Sequence, residues 1–171
     1  MMAIAYGPTF SELPTFRAQS SAASELSYKL TGILADITYH ARNNANDWRS
    51  LTKVLIEEVA LKCQTPNWDG YGANPISMEA KRQAQRLIDM MPYRFPAPDP
   101  VPDPDGDVAL SWDFGRGHMF TLSISSSGML TYAGLLGEGV KRHGMEPFKG
   151  TIPRSIVESI DELCERADVS T

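Results

Sequence analysis

Asn67-Trp68-Asp69-Gly70-Tyr71-Gly72-Ala73-Asn74-Pro75-Ile76-Ser77 divides the chain into two kinds of sequence. Upstream of it apolar residues recur at helical spacing, and downstream of residue 107 they alternate as in strands. Within the stretch, Gly70 and Gly72 permit positive φ, Asp69-Gly70 is a favoured turn pair, and Asn74-Pro75 starts a new direction. Ser77 is placed to cap a helix, with Glu79 in the first turn complementing the helix dipole. An indole beside a tight turn packs between helix and sheet with its N–H on a carbonyl. Two aromatics on a glycine-bearing loop also make the rigid, amphipathic anchor that interfaces favour. Both uses stay open for Trp68 and Tyr71.

Working back from the stretch, Thr65-Pro66 ends a helix that begins at Asn46 or Asp47 and carries Trp48, Leu51, Leu55 and Val59 on one face. An earlier helix runs from Ser24, with Leu26, Leu30, Ile33, Leu34, Ile37 and Ala41 on one side, and ends at Asn43-Asn44-Ala45-Asn46. So short a connection makes the two an antiparallel pair. Residues 1–20 have no periodicity and form an arm.

Working forward, Ala80, Ala84, Leu87, Ile88 and Met91 make the buried face of the helix capped by Ser77, and Pro92 closes it. Proline at every second position from Pro96 to Pro104 gives a stiff, extended linker over residues 96–106, kept out of the middle of any sheet. Its carboxylates fail a calcium-loop test, because setting Gly106 at the turn position puts Val101 and Trp112 at the first and last ligand positions. Val108, Leu110 and Trp112, then Phe120, Leu122 and Ile124, then Leu130 and Tyr132 alternate with small or hydroxyl residues. Short Gly-bearing connections make these an antiparallel meander, with a short fourth strand near Met145 to Lys149. Ile152, Ile156, Ile160, Leu163 and Ala167 define a last helix whose first turn tolerates Pro153.

The expected fold is therefore α+β: three to four helices packed on a small antiparallel β-meander of three or four strands, with a C-terminal helix. After the arm, residues 21–168 form one domain, divided into a helical part 21–92, the linker, the meander 107–150 and the last helix 152–167.

The chain has 171 residues, 42% apolar and 22% charged, which suits one ordinary globular core. No apolar run approaches the roughly 18 residues of a membrane span, and the N-terminus lacks the cationic start of a secretory signal. A cytoplasmic location is the expectation. Cys63 and Cys164 lie on two amphipathic helices and are expected to be buried free thiols. Residues 1–95 carry ten Lys or Arg against nine Asp or Glu, and residues 96–171 carry six against twelve. The acidic second half argues against nucleic acid and leaves room for a basic protein partner. A nucleic-acid module would need Lys81, Arg82, Arg86, Lys141 and Arg142 on one face.

The motif Asn-Trp-Asp-Gly-Tyr-Gly-Ala, followed by a capped helix, a Pro-rich segment ending in Asp105-Gly106 and a strand ending in Trp112, resembles a family of uncharacterised bacterial and phage proteins. The resemblance covers roughly residues 60–135, with residues 67–73 as its specific part. It implies a prokaryotic or mobile-element origin and transfers no catalytic residue.

Phosphate-loop, zinc-protease, nucleophile-elbow and dinucleotide signatures are missing. The imidazoles are His40, at a helix end where the dipole favours a cation, His118 at the start of a strand, and His143 in a Gly-rich loop. The best catalytic arrangement these residues offer is a cleft of Asp69, Asp113, Arg116 and His118 doing general acid–base work. Against it, Asp69 and Asp113 serve as acceptors inside their own turns and Arg116 stays exposed. No cofactor or metal is implied. The reading is a non-enzymatic protein-binding factor of a prokaryote or phage, inhibitor or antitoxin-like, with Trp68, Asp69, Tyr71 and Arg116 as binding residues. A small hydrolase or nuclease-like enzyme using the Asp/His cleft is the alternative.

Overall fold

The computed structural model of the chain describes residues 48–169. The expected arm, the helix from Ser24, its Asn-rich end and His40 lie outside the described residues. Three helices and five strands follow in order: α1 (Trp48–Lys62), α2 (Met78–Met90), β1 (Asp99–Pro102), β2 (Val108–Asp113), β3 (His118–Ile124), β4 (Met129–Leu136), β5 (Lys141–Pro147) and α3 (Arg154–Val169). The strands form one antiparallel meander in the order β1-β2-β3-β4-β5. The fold is α+β, as expected, with helices on an antiparallel meander and a helix at the C-terminal end.

The sheet is larger than the three or four strands expected, at both edges. Asp99–Pro102 pairs with β2, Asp99 opposite Ser111 and Pro102 opposite Val108, so the Pro-rich segment contributes a strand instead of a plain linker. In a strand, alternate residues point their amides to the same side. Pro100 and Pro102 therefore delete donors on one side only, and an edge strand needs donors on one side only. At the other edge, β5 begins at Lys141, ahead of the expected Met145, because Leu135 pairs with Lys141 and Tyr132 with Gly144.

The alternation of β2 and β3 is realised. Val108, Leu110 and Trp112 face inward with Phe120, Leu122 and Ile124, joined by Leu130 and Leu136 of β4. Trp112, Phe120 and Tyr132 form a diagonal aromatic series, with ring centroids 6.1 Å and 5.8 Å apart. Room for it comes from glycines opposite the rings. A Cβ on Gly134 would stand 2.6 Å from the Phe120 ring, and one on Gly144 would stand 2.5 Å from the Tyr132 hydroxyl.

All three helices cover this one face, α1 against β1, α2 against β2 and β3, α3 against β3 and β4. Ser77 caps α2 through its Oγ, which accepts from the Ala80 amide at 3.0 Å, and Ala80, Ala84, Leu87, Ile88 and Met91 are all buried as expected. On α1 the buried residues are Thr52 and Ile56, with Trp48 and Val59 packed partly, while Leu51 and Leu55 are half-buried, a rotation from the expected stripe. Ile156, Ile160 and Leu163 anchor α3. Neither cysteine is in a disulfide; Cys63 is buried and its thiol pKa is raised by burial, whereas Cys164 is half-buried. Among the described residues no helix is long and apolar enough to cross a membrane.

Candidate functional site

The motif loop closes on itself. Asn67 adopts φ 61°, donates its amide to the Ala73 carbonyl at 2.7 Å, and accepts the Gly72 amide on its side-chain oxygen at 2.7 Å. Asp69 accepts the amides of Tyr71 at 2.8 Å and Ala73 at 3.0 Å on one carboxylate oxygen. These amides, that of Tyr71 first, hold its pKa below the usual carboxylate value. Gly70 and Gly72 sit at φ 79° and 98°, where a side chain is strained. Trp68 rests partly buried against the core and donates its indole N–H to the Asn74 carbonyl at 2.9 Å. Ala73 is buried.

The loop is also fastened to the sheet. Asn74 donates to the Pro104 carbonyl at 2.8 Å and Ser77 to that of Gly106 at 3.0 Å, while Ile76 reaches back to Cys63 at 3.0 Å. The turn before β2 presses so close that a Cβ on Gly106 would lie 2.8 Å from the Pro75 carbonyl oxygen.

One residue of the seven is left over. Tyr71 is 95% exposed, more than any other large apolar side chain described. Its backbone amide serves the loop, but its ring and hydroxyl serve nothing there. Trp68 and Tyr71, treated together in the sequence, therefore have separate positions: one holds the loop and the other is displayed by it.

The cleft of Asp69, Asp113, Arg116 and His118 is not assembled. The motif loop is tied to the start of β2, and Asp113 ends that strand, roughly 20 Å away at about 3.4 Å per residue. Asp113 also pairs with Met119 on the outward face, whereas His118 shares the inward face with Phe120. Asp113 accepts the Gly115 amide at 2.8 Å inside its own turn. Arg116 is exposed in that same turn, so it does not share a patch with Tyr71. The cations that a nucleic-acid face would gather are dispersed. Lys81 pairs with Glu57 at 2.8 Å, Arg82 with Glu79 at 2.5 Å, and Arg142, on the far edge, with Glu162 of α3 at 2.8 Å.

No protein-family model, curated protein or solved structure matches the chain. Its chemistry has to be read from its own residues. Among those described, no group of three or more His, Cys, Asp or Glu is arranged to hold a metal ion. A second place lies at the other end of β3. His118 is 8% exposed and opens on a groove of about 580 Å³ between the β3 and β4 ends and α3, which Glu138, Glu162, Glu165 and Arg166 also line. Two signals pointed there: His118 has the parity of Phe120 and Leu122, which puts it inward, and Gly137-Glu138-Gly139 marks a hairpin turn.

Proposed function

We propose that the chain is a non-enzymatic protein-binding factor that docks onto its partner through Tyr71, in the manner of an inhibitor or antitoxin-like protein of a prokaryote or phage. The observation that carries this is the division of labour in the motif loop. Six residues build and fasten it, and the seventh is a 95% exposed tyrosine. Tyrosine supplies a large amphipathic contact at low conformational cost, and a loop already closed by hydrogen bonds loses little further freedom on binding. The acidic second half suits a partner with a basic surface. The likeness of residues 67–73 to the bacterial and phage family supports the biological setting, and a cytoplasmic place of action goes with it.

The hydrolase alternative has no assembled Asp–His pair behind it. Asp69 is committed to amides of its own loop, which lower its pKa and make it a weaker base than an ordinary carboxylate.

The test is affinity capture from a native-host lysate with three baits: wild type, Tyr71→Ala and Tyr71→Phe. A partner held by wild type should be lost on Tyr71→Ala, with affinity weakened about 30-fold for an anchor worth about 2 kcal/mol, at unchanged melting temperature. Tyr71→Phe should keep most of it. A partner captured equally by wild type and Tyr71→Ala would refute the assignment.

A further inference from the structure

The groove beneath the Gly137-Glu138-Gly139 turn lies at the opposite end of β2 and β3 from Tyr71, and nothing in the docking proposal uses it. Its floor is the unusual part. His118 is more than nine-tenths buried, in a row with Phe120, Leu122 and Ile124, yet its ring nitrogens have no hydrogen-bond partner among the described residues. The one side-chain polar atom described that is both sealed from solvent and unpartnered is Arg49 Nε, so the His118 nitrogens are not sealed, and the groove is where that ring opens. Gly137 is fitted to the ring: a Cβ there would overlap His118 Nε2 and come within 2.9 Å of Cδ2. A buried imidazole left without a partner is costly. An open groove above it offers the place for one.

The walls state the charge of that partner. Among the described residues that line it, Glu138, Glu162 and Glu165 stand with the guanidinium of Arg166. Glu162 is satisfied twice, by Arg142 at 2.8 Å and by Arg166 at 2.9 Å. Glu138 and Glu165 are exposed and have no ion-pair partner among the described residues. The rim therefore holds two open carboxylates above the unpartnered His118 ring, an arrangement that attracts a cation and offers an anion little. Among the described residues no three-ligand cluster offers a metal ion a site, and the cation that fits these groups is organic.

We infer that this groove binds a primary ammonium or guanidinium group, whose N–H donors are received by Glu138, Glu165 and the His118 ring. A volume of about 580 Å³ admits either a small free amine or a Lys or Arg side chain of a protein.

The test follows the His118 ring resonances of the full-length protein by NMR while three probes are titrated: agmatine, a capped Gly-Arg-Gly peptide, and acetate as an anionic control. Saturable shifts with agmatine or the peptide are expected, and none with acetate. Tighter peptide binding identifies a protein side chain as the natural occupant, and tighter agmatine binding identifies a free amine; either supports the site. Glu138→Gln and Glu165→Gln, both at exposed positions that leave the core intact, should each weaken binding about 2–5-fold, as the loss of a solvent-exposed charge pair does. His118 resonances unmoved by both cations, saturable binding of acetate instead, or binding indifferent to both Glu→Gln changes would overturn the inference.

Discussion

Trp68→Ala and Tyr71→Ala form a pair of substitutions, three positions apart on one loop, for which the structure demands opposite outcomes. Trp68 gives its indole N–H to the Asn74 carbonyl and rests against the core, and Asn74 in turn is bonded to Pro104 in the segment that leads into β2. Truncation removes a hydrogen bond worth about 1 kcal/mol net and the buried part of an indole. Full truncation in a core costs about 3–5 kcal/mol, so a partly buried Trp68 should lose about 2–4 kcal/mol in all. At about 2–4 °C per kcal/mol for a chain of this size, the melting temperature should fall by about 5–15 °C. Tyr71 is 95% exposed and its side chain bonds to nothing in the loop. Its truncation should stay within about 0.5 kcal/mol, a shift of about 2 °C at most. Thermal melts followed by circular dichroism, with urea titrations to check that the slope is unchanged, measure both. A Tyr71→Ala protein destabilised as much as Trp68→Ala would mean that the ring is part of the fold. The division of labour on which the docking proposal stands would then be gone.

Two further outcomes follow from the same geometry. Gly137 and Gly139 both have positive φ, at 81° and 78°, but only at Gly137 does a Cβ meet the His118 ring, and at Gly139 nothing lies within 4 Å. Gly139→Ala should therefore cost the backbone strain alone, about 1 kcal/mol, whereas Gly137→Ala adds overpacking of about 1–3 kcal/mol; equal denaturation midpoints for the two would show that the ring moves aside freely. Asp107 has its pKa raised from 3.8, mainly by burial, with Asp103 and Asp105 adding repulsion. Between 3.8 and the raised value the folded chain holds a proton that the unfolded chain has released, so stability falls as pH rises through that window and the penalty persists at neutrality. Asp107→Asn should raise the melting temperature by about 1–4 °C at pH 7, for a gain of about 0.5–1 kcal/mol at this partly exposed site, and the gain should vanish below pH 3.8, where both states of the wild type are protonated. Destabilisation at pH 7, or the same gain at pH 3, would contradict this.

The parts of the fold that were legible are those where burial wrote a period into the sequence. Val108-Leu110-Trp112 and Phe120-Leu122-Ile124 had to alternate because the described helices cover one face and leave the other, and α2 announced itself by its Ser77 cap and its apolar stripe. The edge strands were illegible for the converse reason. β1 has prolines where a strand signal should be, and Lys141-Arg142-His143-Gly144 of β5 has no alternation, since an edge strand faces water on a further side. The Asp/His cleft was undone by information already present. Asp113 follows the inward Trp112 and must point outward, while His118 precedes Phe120 by two and must point inward. What the sequence left open was distance. Nothing in residues 67–77 states that the loop bonds to Pro104 and Gly106, at the far end of β2 from Asp113.

The edges also bear on how a partner can be engaged. A common way to bind a sheet protein is to add a strand to it, and that needs a row of free donors and acceptors along an open edge. On β1, Pro100 and Pro102 remove every second donor, so the outer side of that strand offers carbonyls without amides. On β5, exposed Lys141 and Arg142 set charges on the strand, and Arg142 is anchored to Glu162 of α3. Both edges are thus blunted by chemistry that prevents strand pairing between chains. The proposed partner would be left with side chains to recognise, and the most exposed large apolar side chain described, on a loop closed by its own hydrogen bonds, is Tyr71. A docked complex in which a partner strand extended the sheet past β1 or β5 would remove that reason for centring recognition on the motif loop.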